Sequence, residues 1–478
     1  MIDEKMLREA AAEANTVLVE KWAERDLPEH TFSPEFECNM RKMIQKTKCQ
    51  PFYRILKRAV CLFLALFIGC ASVLTVHVDA REALLGWIKR SLLEQDAQYL
   101  VKKVEDLHPS FVLNMVPMGY EAAKEQYLQA VESPTINEES FELETWRYLS
   151  SLNDAYTGID CRYTFQKRLN IELVRLGENT WLKNENGELT EKKVISVAGI
   201  PTEDLWSVME ELLVMDNEFA YVRYSDYLCC DTILDLAGVN VEENELPIVL
   251  EEKGVQEEWS VSFISRAAWK AEHTSKEETI SYKMLDDVFY IDMNSCTLDT
   301  KFSVVEEALA EWAENGISKV IIDVRGNTGG NSVACEKLLE AMNMSPPAYT
   351  VYSRTSGTEL FRVEDPLTAT HYRGSVPNPE IDLIVLCDEG TGGSATVLCV
   401  YVQDGELGRL VGYPSSTSPN NYLYNVACVL PNTELTASIS CKYMERPDKE
   451  ADPDMLEMDV LLPYGEDALA VALSLLNE

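Results

Sequence analysis

Positive charge is scarce in this chain: 42 lysines and arginines stand against 80 aspartates and glutamates in 478 residues, a formal net charge of −38. A surface of that sign repels nucleic acid and attracts cationic peptides, so a nucleic-acid partner is excluded. The thirteen cysteines include no Cys-x-x-Cys pair and no His–Cys cluster, which removes zinc-site and thioredoxin-like readings. No motif calls for a metal or a cofactor. Cys387, Cys399 and Cys428 lie in apolar runs and read as small core residues. Cys229 and Cys230 are adjacent and badly placed to bridge each other. On a chain lying mostly outside the cytoplasm, so many free thiols point to a reducing or anaerobic habitat.

Asp, Glu, Lys and Arg are missing from one further stretch, AVCLFLALFIGCASVLTVHV at residues 59–78. At about 1.5 Å per helical residue this run crosses a hydrocarbon core of roughly 30 Å, so it predicts one transmembrane helix. Arg41, Lys42, Lys46, Lys48, Arg54, Lys57 and Arg58 precede it, against Arg81, Lys89 and Arg90 behind. The positive-inside rule then places the N-terminus in the cytoplasm and everything from about residue 79 outside, a single-pass protein of the cell membrane. The long segment ahead of the run argues against a cleaved signal peptide. Residues 1–58 read as a cytosolic tail of two helices. The first is amphipathic through Ala10, Ala11, Ala14, Val17 and Leu18, and the second opens on Ser33 as N-cap with Pro34 behind it.

Residues 79–150 carry helical periodicity and form a juxtamembrane and helical leader. Residues 151–285 form an intermediate region, with a strand, a Gly-Ile-Pro turn and a helix at 193–209. Its acidic, weakly patterned stretch 217–283 reads as a β-rich insertion or lid. From Val288 the order is a strand at 288–293, a helix at 304–314 with a Ser303…Glu306 capping box and Gly316 as its stop, then a strand at 317–324. Strands alternating with helices predict a mixed α/β sheet for 286–478.

Two segments in that last part carry chemistry: VIIDVRGNTGGNS at 320–332 and CDEGTGGSA at 387–395. Each is an apolar strand that breaks into a glycine-rich turn and then a helix, which aims backbone N–H groups at one point. Ser394 falls at the N-terminus of the second helix. A hydroxyl there can face an acyl carbon while the N–H groups of Ala395 and of Gly329 or Gly330 meet the developing oxyanion. The residues alone leave a second reading open, a capping serine beside an ordinary α/β turn. Asp323 and Arg325, at the end of the first strand, read as a structural ion pair.

These two segments resemble those of the C-terminal-processing, or tail-specific, serine peptidases (family S41), in which an IIDLRxNxGGN-like strand-turn precedes an S-A segment. LGRLVGYPSSTSPNNY at 407–422 and LPNTELTASISCKYMERP at 430–447 are similar to the segments downstream of the serine in Gram-positive members. LHP at 107–109 and LNDAYT at 152–157 resemble the family's helical leader, which usually reads D-x-H-T. The segment 193–209 is similar to a V-x-I-N-G-x-P segment that is PDZ-like in some members, although no complete PDZ domain can be traced.

The likeness runs from about residue 95 to the C-terminus. It implies an α/β fold, an S41-like peptidase core whose mixed sheet is flanked by helices, and a peptide or protein as substrate or ligand. It also implies Ser394 as the nucleophile position and Gly329, Gly330 and Ala395 as oxyanion donors. The family's G-E-P-x-x-x-K pattern puts Ser418 where the lysine base belongs and Tyr413 at the Glu. Tyr156 stands where tricorn-like members carry a histidine, and Tyr422 where a polar orienting residue follows the base. Two functions are therefore expected. One is a serine peptidase with another base, for which Lys442 is a candidate, since His273 and His371 read as surface residues. The other is a pseudopeptidase that binds an extended peptide by strand addition and passes occupancy through the membrane helix. FSPEFECNMRKMI at 32–44 and VDAREALLGWIKR at 78–90 resemble parts of single-pass anti-sigma-type regulators. That implies a sigma-factor contact for the tail; a basic tail that merely sets topology is the alternative.

Overall fold

A computed structural model describes residues 78–273, 278–356, 359–360, 367–370 and 374–477. The chain divides into two units, and the second, Leu85–Glu478, holds nearly every described residue. The tail 1–58 and nearly all of the membrane run 59–78 lie outside the described residues, as does His371. Among the described residues no helix is long and apolar enough to cross a membrane.

The leader consists of α1 (Val78–Leu107), α2 (Tyr120–Val131) and α3 (Glu138–Ser150). Pro109 follows the end of α1, where its ring disfavours helical backbone in the residue before it. The last helix opens with a capping box, in which Asn137 accepts from the Ser140 N–H and Ser140 answers the Asn137 N–H. Leu100, Val104, Tyr127 and Leu149 on these helices form one core with Leu435, Ala437 and Ile439 from far along the chain.

After the short strand β1 (Gly158–Ile159) comes a β-rich region: β2 (Lys167–Leu169), β3 (Leu173–Leu176), β4 (Asn179–Lys183), β5 (Leu189–Val197), β6 (Ile200–Pro201), α4 (Thr202–Glu210), β7 (Glu245–Glu252) and β8 (Val255–Ser265). Its strands run in the order β2-β8-β7-β5-β4-β3, with β6 on β5. It has its own core, including Leu205, Met209, Ile248 and Leu250. The acidic stretch 217–283 is thus not a separate insertion, because β7 and β8 are central partners in this sheet. Their acidity hid an ordinary alternation: Leu246, Ile248 and Leu250 point inward while Glu245 faces water.

The α/β core follows with β9 (Ser281–Leu285), β10 (Val288–Asp292), α5 (Thr300–Glu314), β11 (Lys319–Asp323), α6 (Ser332–Ala341), β12 (Thr350–Ser353), β13 (Thr355–Ser356), β14 (Glu359–Leu360), β15 (Leu367–Thr370), β16 (Asp382–Cys387), α7 (Ser394–Asp404), β17 (Arg409–Gly412), β18 (Asn421–Val429), β19 (Thr436–Glu445), β20 (Val460–Leu461) and α8 (Ala468–Leu475). One sheet runs β20-β17-β16-β11-β10-β9, parallel except at β9. Helices α5, α6 and α7 contribute to the core on one face, and α8 to that on the other. A second, antiparallel sheet runs β1-β19-β12-β15, with β18 also on β19.

Helix α5 begins a turn earlier than the capping-box reading placed it. Asp299 is the N-cap and accepts from the Phe302 N–H, so Ser303 lies inside the helix. The extra turn buries Phe302 in the core, a gain the local pattern does not display.

Candidate active site

Strands β11 and β16 are parallel neighbours, with Asp323 opposite Leu386, so the two glycine-rich turns emerge side by side. Asp388 fastens them: its Oδ1 accepts from the N–H groups of Gly326 at 2.8 Å, Gly390 at 2.9 Å and Thr391 at 3.1 Å. Thr391 Oγ1 donates to the Val324 carbonyl at 2.9 Å, and the Gly392 N–H to the Asn327 carbonyl at 2.8 Å. Asp323 and Arg325 form a bidentate pair at 2.9 and 2.7 Å, and Tyr290 donates to the same carboxylate.

The turn into α7 is sharp. Gly393, the N-cap, has φ 51° and ψ −123°, a region that side-chain-bearing residues avoid. Gly329 lies so close that a β-carbon on it would sit 2.7 Å from the Ser394 nitrogen. Ser394 itself is the first residue of α7 and caps nothing. Its hydroxyl donates to the Gly330 carbonyl at 2.9 Å, and it is 8% exposed.

The N–H groups expected to hold an oxyanion are unevenly free. That of Ala395 donates to the Gly392 carbonyl at 3.1 Å, and that of Gly329 to Asn327 Oδ1 at 2.8 Å. The N–H of Gly330 has no hydrogen-bond partner among the described residues. Of these three candidates, Gly330 therefore offers the open donor beside the serine among the described residues.

The positions where the resemblance expects a base are occupied otherwise. Ser418 is buried and donates to the Asp216 main-chain carbonyl at 3.1 Å. Tyr156 accepts from the Gly393 N–H at 3.1 Å; burial, with the charge of Asp216, pushes its phenol up to about 12. Tyr413 packs edge-on against Phe219 and Tyr464, and burial raises it to about 12. Lys442 is half-buried, with its ammonium 3.8 Å above the Tyr424 ring. His273 is exposed, stacked on Trp269 and 3.3 Å from Glu172. Among the described residues no carboxylate, imidazole or amine hydrogen-bonds the Ser394 hydroxyl.

Three features go beyond what the sequence shows. His108 and Asp154 form a buried pair at 3.2 Å, and the ring of Tyr422 lies 4.5 Å from that of His108. Burial would raise Asp154, but the hydrogen bond and charge of His108, with Thr157, outweigh it and hold the carboxyl below its usual range. Asp154 also accepts from the Tyr156 N–H at 2.8 Å, so it shapes the turn that carries Tyr156 to Gly393. Secondly, 215–224 clasps 413–418: Asn217 donates to the Ser415 carbonyl at 3.1 Å and Arg223 to the Ser416 hydroxyl at 3.2 Å. Thirdly, burial and the charge of Asp154 lift Asp216 to about 7, against the opposing hydrogen bond from the Ser418 N–H. The LHP and LNDAYT segments flagged the first feature without its pairing; nothing in the acidic run around Asp216 marked the others.

Peptidase family S41 matches residues 287–422. No curated protein matches the chain. Among solved structures, a serine-to-alanine mutant of CPAF is similar with a TM-score of 0.57 and 13% identity, covering 81% of this chain and 96% of that one. Mature CPAF has a TM-score of 0.54 at 12% identity, covering 79% and 93%. Mature CPAF complexed with lactacystin has 0.53 at 12%, covering 81% and 96%. The chain thus carries an α/β fold of the S41 protease type and resembles the C-terminal-processing serine peptidases.

Proposed function

We propose that this protein is a membrane-tethered, extracytoplasmic peptide-binding protein on the S41 peptidase fold, with Ser394 at the nucleophile position and hydrolysis slow or absent. One observation carries the reading: among the described residues the Ser394 hydroxyl meets only the Gly330 carbonyl, while Ser418, at the base position, is tied to the main chain of Asp216. A serine hydroxyl needs a proton acceptor to become a nucleophile, and loss of one member of such a unit lowers turnover by about 10⁴-fold. The cleft keeps what peptide binding requires, a glycine-lined turn and the open Gly330 N–H. In this reading residues 59–78 span the membrane and the cytosolic tail contacts a sigma factor in response to peptide. Unchanged tail binding after removal of the outer part would sink that last element.

The second reading, a competent peptidase, has the sharp Gly393 turn in its favour. Proteolysis of an unfolded model substrate by the full chain in detergent separates the two. Wild type should be no faster than Ser394→Ala, and Ser418→Lys should gain turnover by restoring an amine. Wild-type turnover that vanishes in Ser394→Ala would establish a peptidase with a different base.

A further inference from the structure

Helices α6 and α7 start beside the Ser394–Gly330 contact, and a cavity of about 300 Å³ opens against α6, the segment 346–349 and β12. Its walls include Ser332 and Glu336 of α6, Tyr401 of α7, Tyr424 of β18, and Lys442 and Met444 of β19. The link to Ser394 is direct. Ser332 follows the Gly330–Asn331 turn, and Cys335, between Ser332 and Glu336, donates its thiol to the Ser394 carbonyl at 3.2 Å. Tyr401 lies further along the helix that Ser394 begins, about 10 Å away at 1.5 Å per residue.

Two observations indicate what the cavity takes. The first is Lys442. In a chain of net charge −38 this ammonium has an aromatic ring beneath it, and no carboxylate of the described residues lies within ion-pair distance. The second is Tyr424. It has φ 60°, left-handed backbone that a bulky aromatic residue seldom adopts. The β18–β19 ladder pairs Leu423 with Lys442 and Asn425 with Ser440 and skips Tyr424. The register is unbroken across this point, and the ring lies against the ammonium. Strain of this kind persists where the surroundings over-determine it, and it gathers at ligand clamps. On the opposite wall, Glu336 accepts from the Tyr401 hydroxyl at 3.1 Å.

We propose that this cavity is a carboxylate-binding subsite for the peptide held at Ser394. Lys442 meets the carboxylate, and the rings of Tyr401 and Tyr424 with Met444 enclose its alkyl stem. An acidic side chain and a chain-end carboxylate offer the same chemistry. Glu336 limits the affinity by repulsion. The inference rests on the peptide-cleft reading above.

The test measures binding of labelled peptides of equal length to the full chain in detergent micelles. The peptides carry Glu or Gln at the third residue from the end, each with a free or an amidated C-terminus. Carboxylate-bearing peptides should bind wild type at least about tenfold more tightly than the Gln, amidated peptide. Lys442→Met should abolish the preference while leaving the carboxylate-free peptide unaffected, and Glu336→Gln should enlarge it. A preference that follows the Glu identifies a side chain as the ligand; one that follows the free end identifies the terminus. Equal binding of all four peptides, or a preference that survives Lys442→Met, overturns the subsite and leaves the cleft standing. Failure of every peptide to bind overturns the cleft and the subsite together.

Discussion

Asp216 shows how far a single carboxyl departs from its sequence context. It lies just ahead of the acidic stretch 217–283, yet its main chain accepts from Ser418 and its side chain is lifted to about 7 by burial and by Asp154. Between about pH 4 and 7 the native protein holds a proton there that the unfolded chain releases. Stability contributed at this site is therefore full at low pH and falls as pH rises through that window. Solvent at its edge moderates the effect to about 2 kcal/mol. Asp216→Asn should be less sensitive to pH and more stable than wild type at pH 8, with the two converging near pH 4 in urea unfolding. A wild-type-minus-variant difference that stays the same at both pH values would refute the assignment. At this scale the sequence disclosed Ser394 and the glycine pairs, because each turn and the helix behind it are set by neighbours close in the chain. It did not disclose Asp216 or the His108–Asp154 pairing, whose properties come from partners distant in the chain.

Among elements, the turn 153–157 links the leader to the candidate site. Asp154 receives His108, the Tyr156 N–H and Thr157, and Tyr156 in turn meets Gly393. Removing one partner of a buried pair strands the other, typically at about 3 kcal/mol or more. Asp154→Asn should thus destabilise the protein by about 3 kcal/mol in denaturant unfolding, whereas Tyr156→Phe, which removes one hydrogen-bond acceptor, should cost about 1 kcal/mol. Similar losses in both variants would mean the pair adds nothing beyond a single hydrogen bond. The strands and helices around Ser394 were legible from apolar runs broken by glycine. Less legible were α5, whose Asp299 cap wins over the Ser303 box by burying Phe302, and β7, whose inward Leu246, Ile248 and Leu250 are flanked by Glu245, Glu251 and Glu252.

For the whole molecule, the proposed anchor makes a separable prediction. The full chain should sediment with membranes through high salt and carbonate and be released by detergent, while a chain starting at residue 85 should stay in the supernatant. Release of the full chain by salt alone would overturn the anchor, since electrostatic attachment is screened and hydrophobic insertion is not.

The sequence by itself determined the alternation of strand, glycine turn and helix at each of the two segments, and the charge-free run that the anchor rests on. These are periodic or local properties, set by side-chain pattern and by backbone freedom. The pairing of β11 with β16 brings Ser394 beside Gly329 and Gly330. Tertiary structure alone decided that Ser418 turns toward Asp216, that Ala395 and Gly329 already use their N–H groups, and that Lys442 faces a cavity. Burial, hydrogen-bond partnership and charge environment depend on which distant segments fold against one another, and no local pattern records that choice.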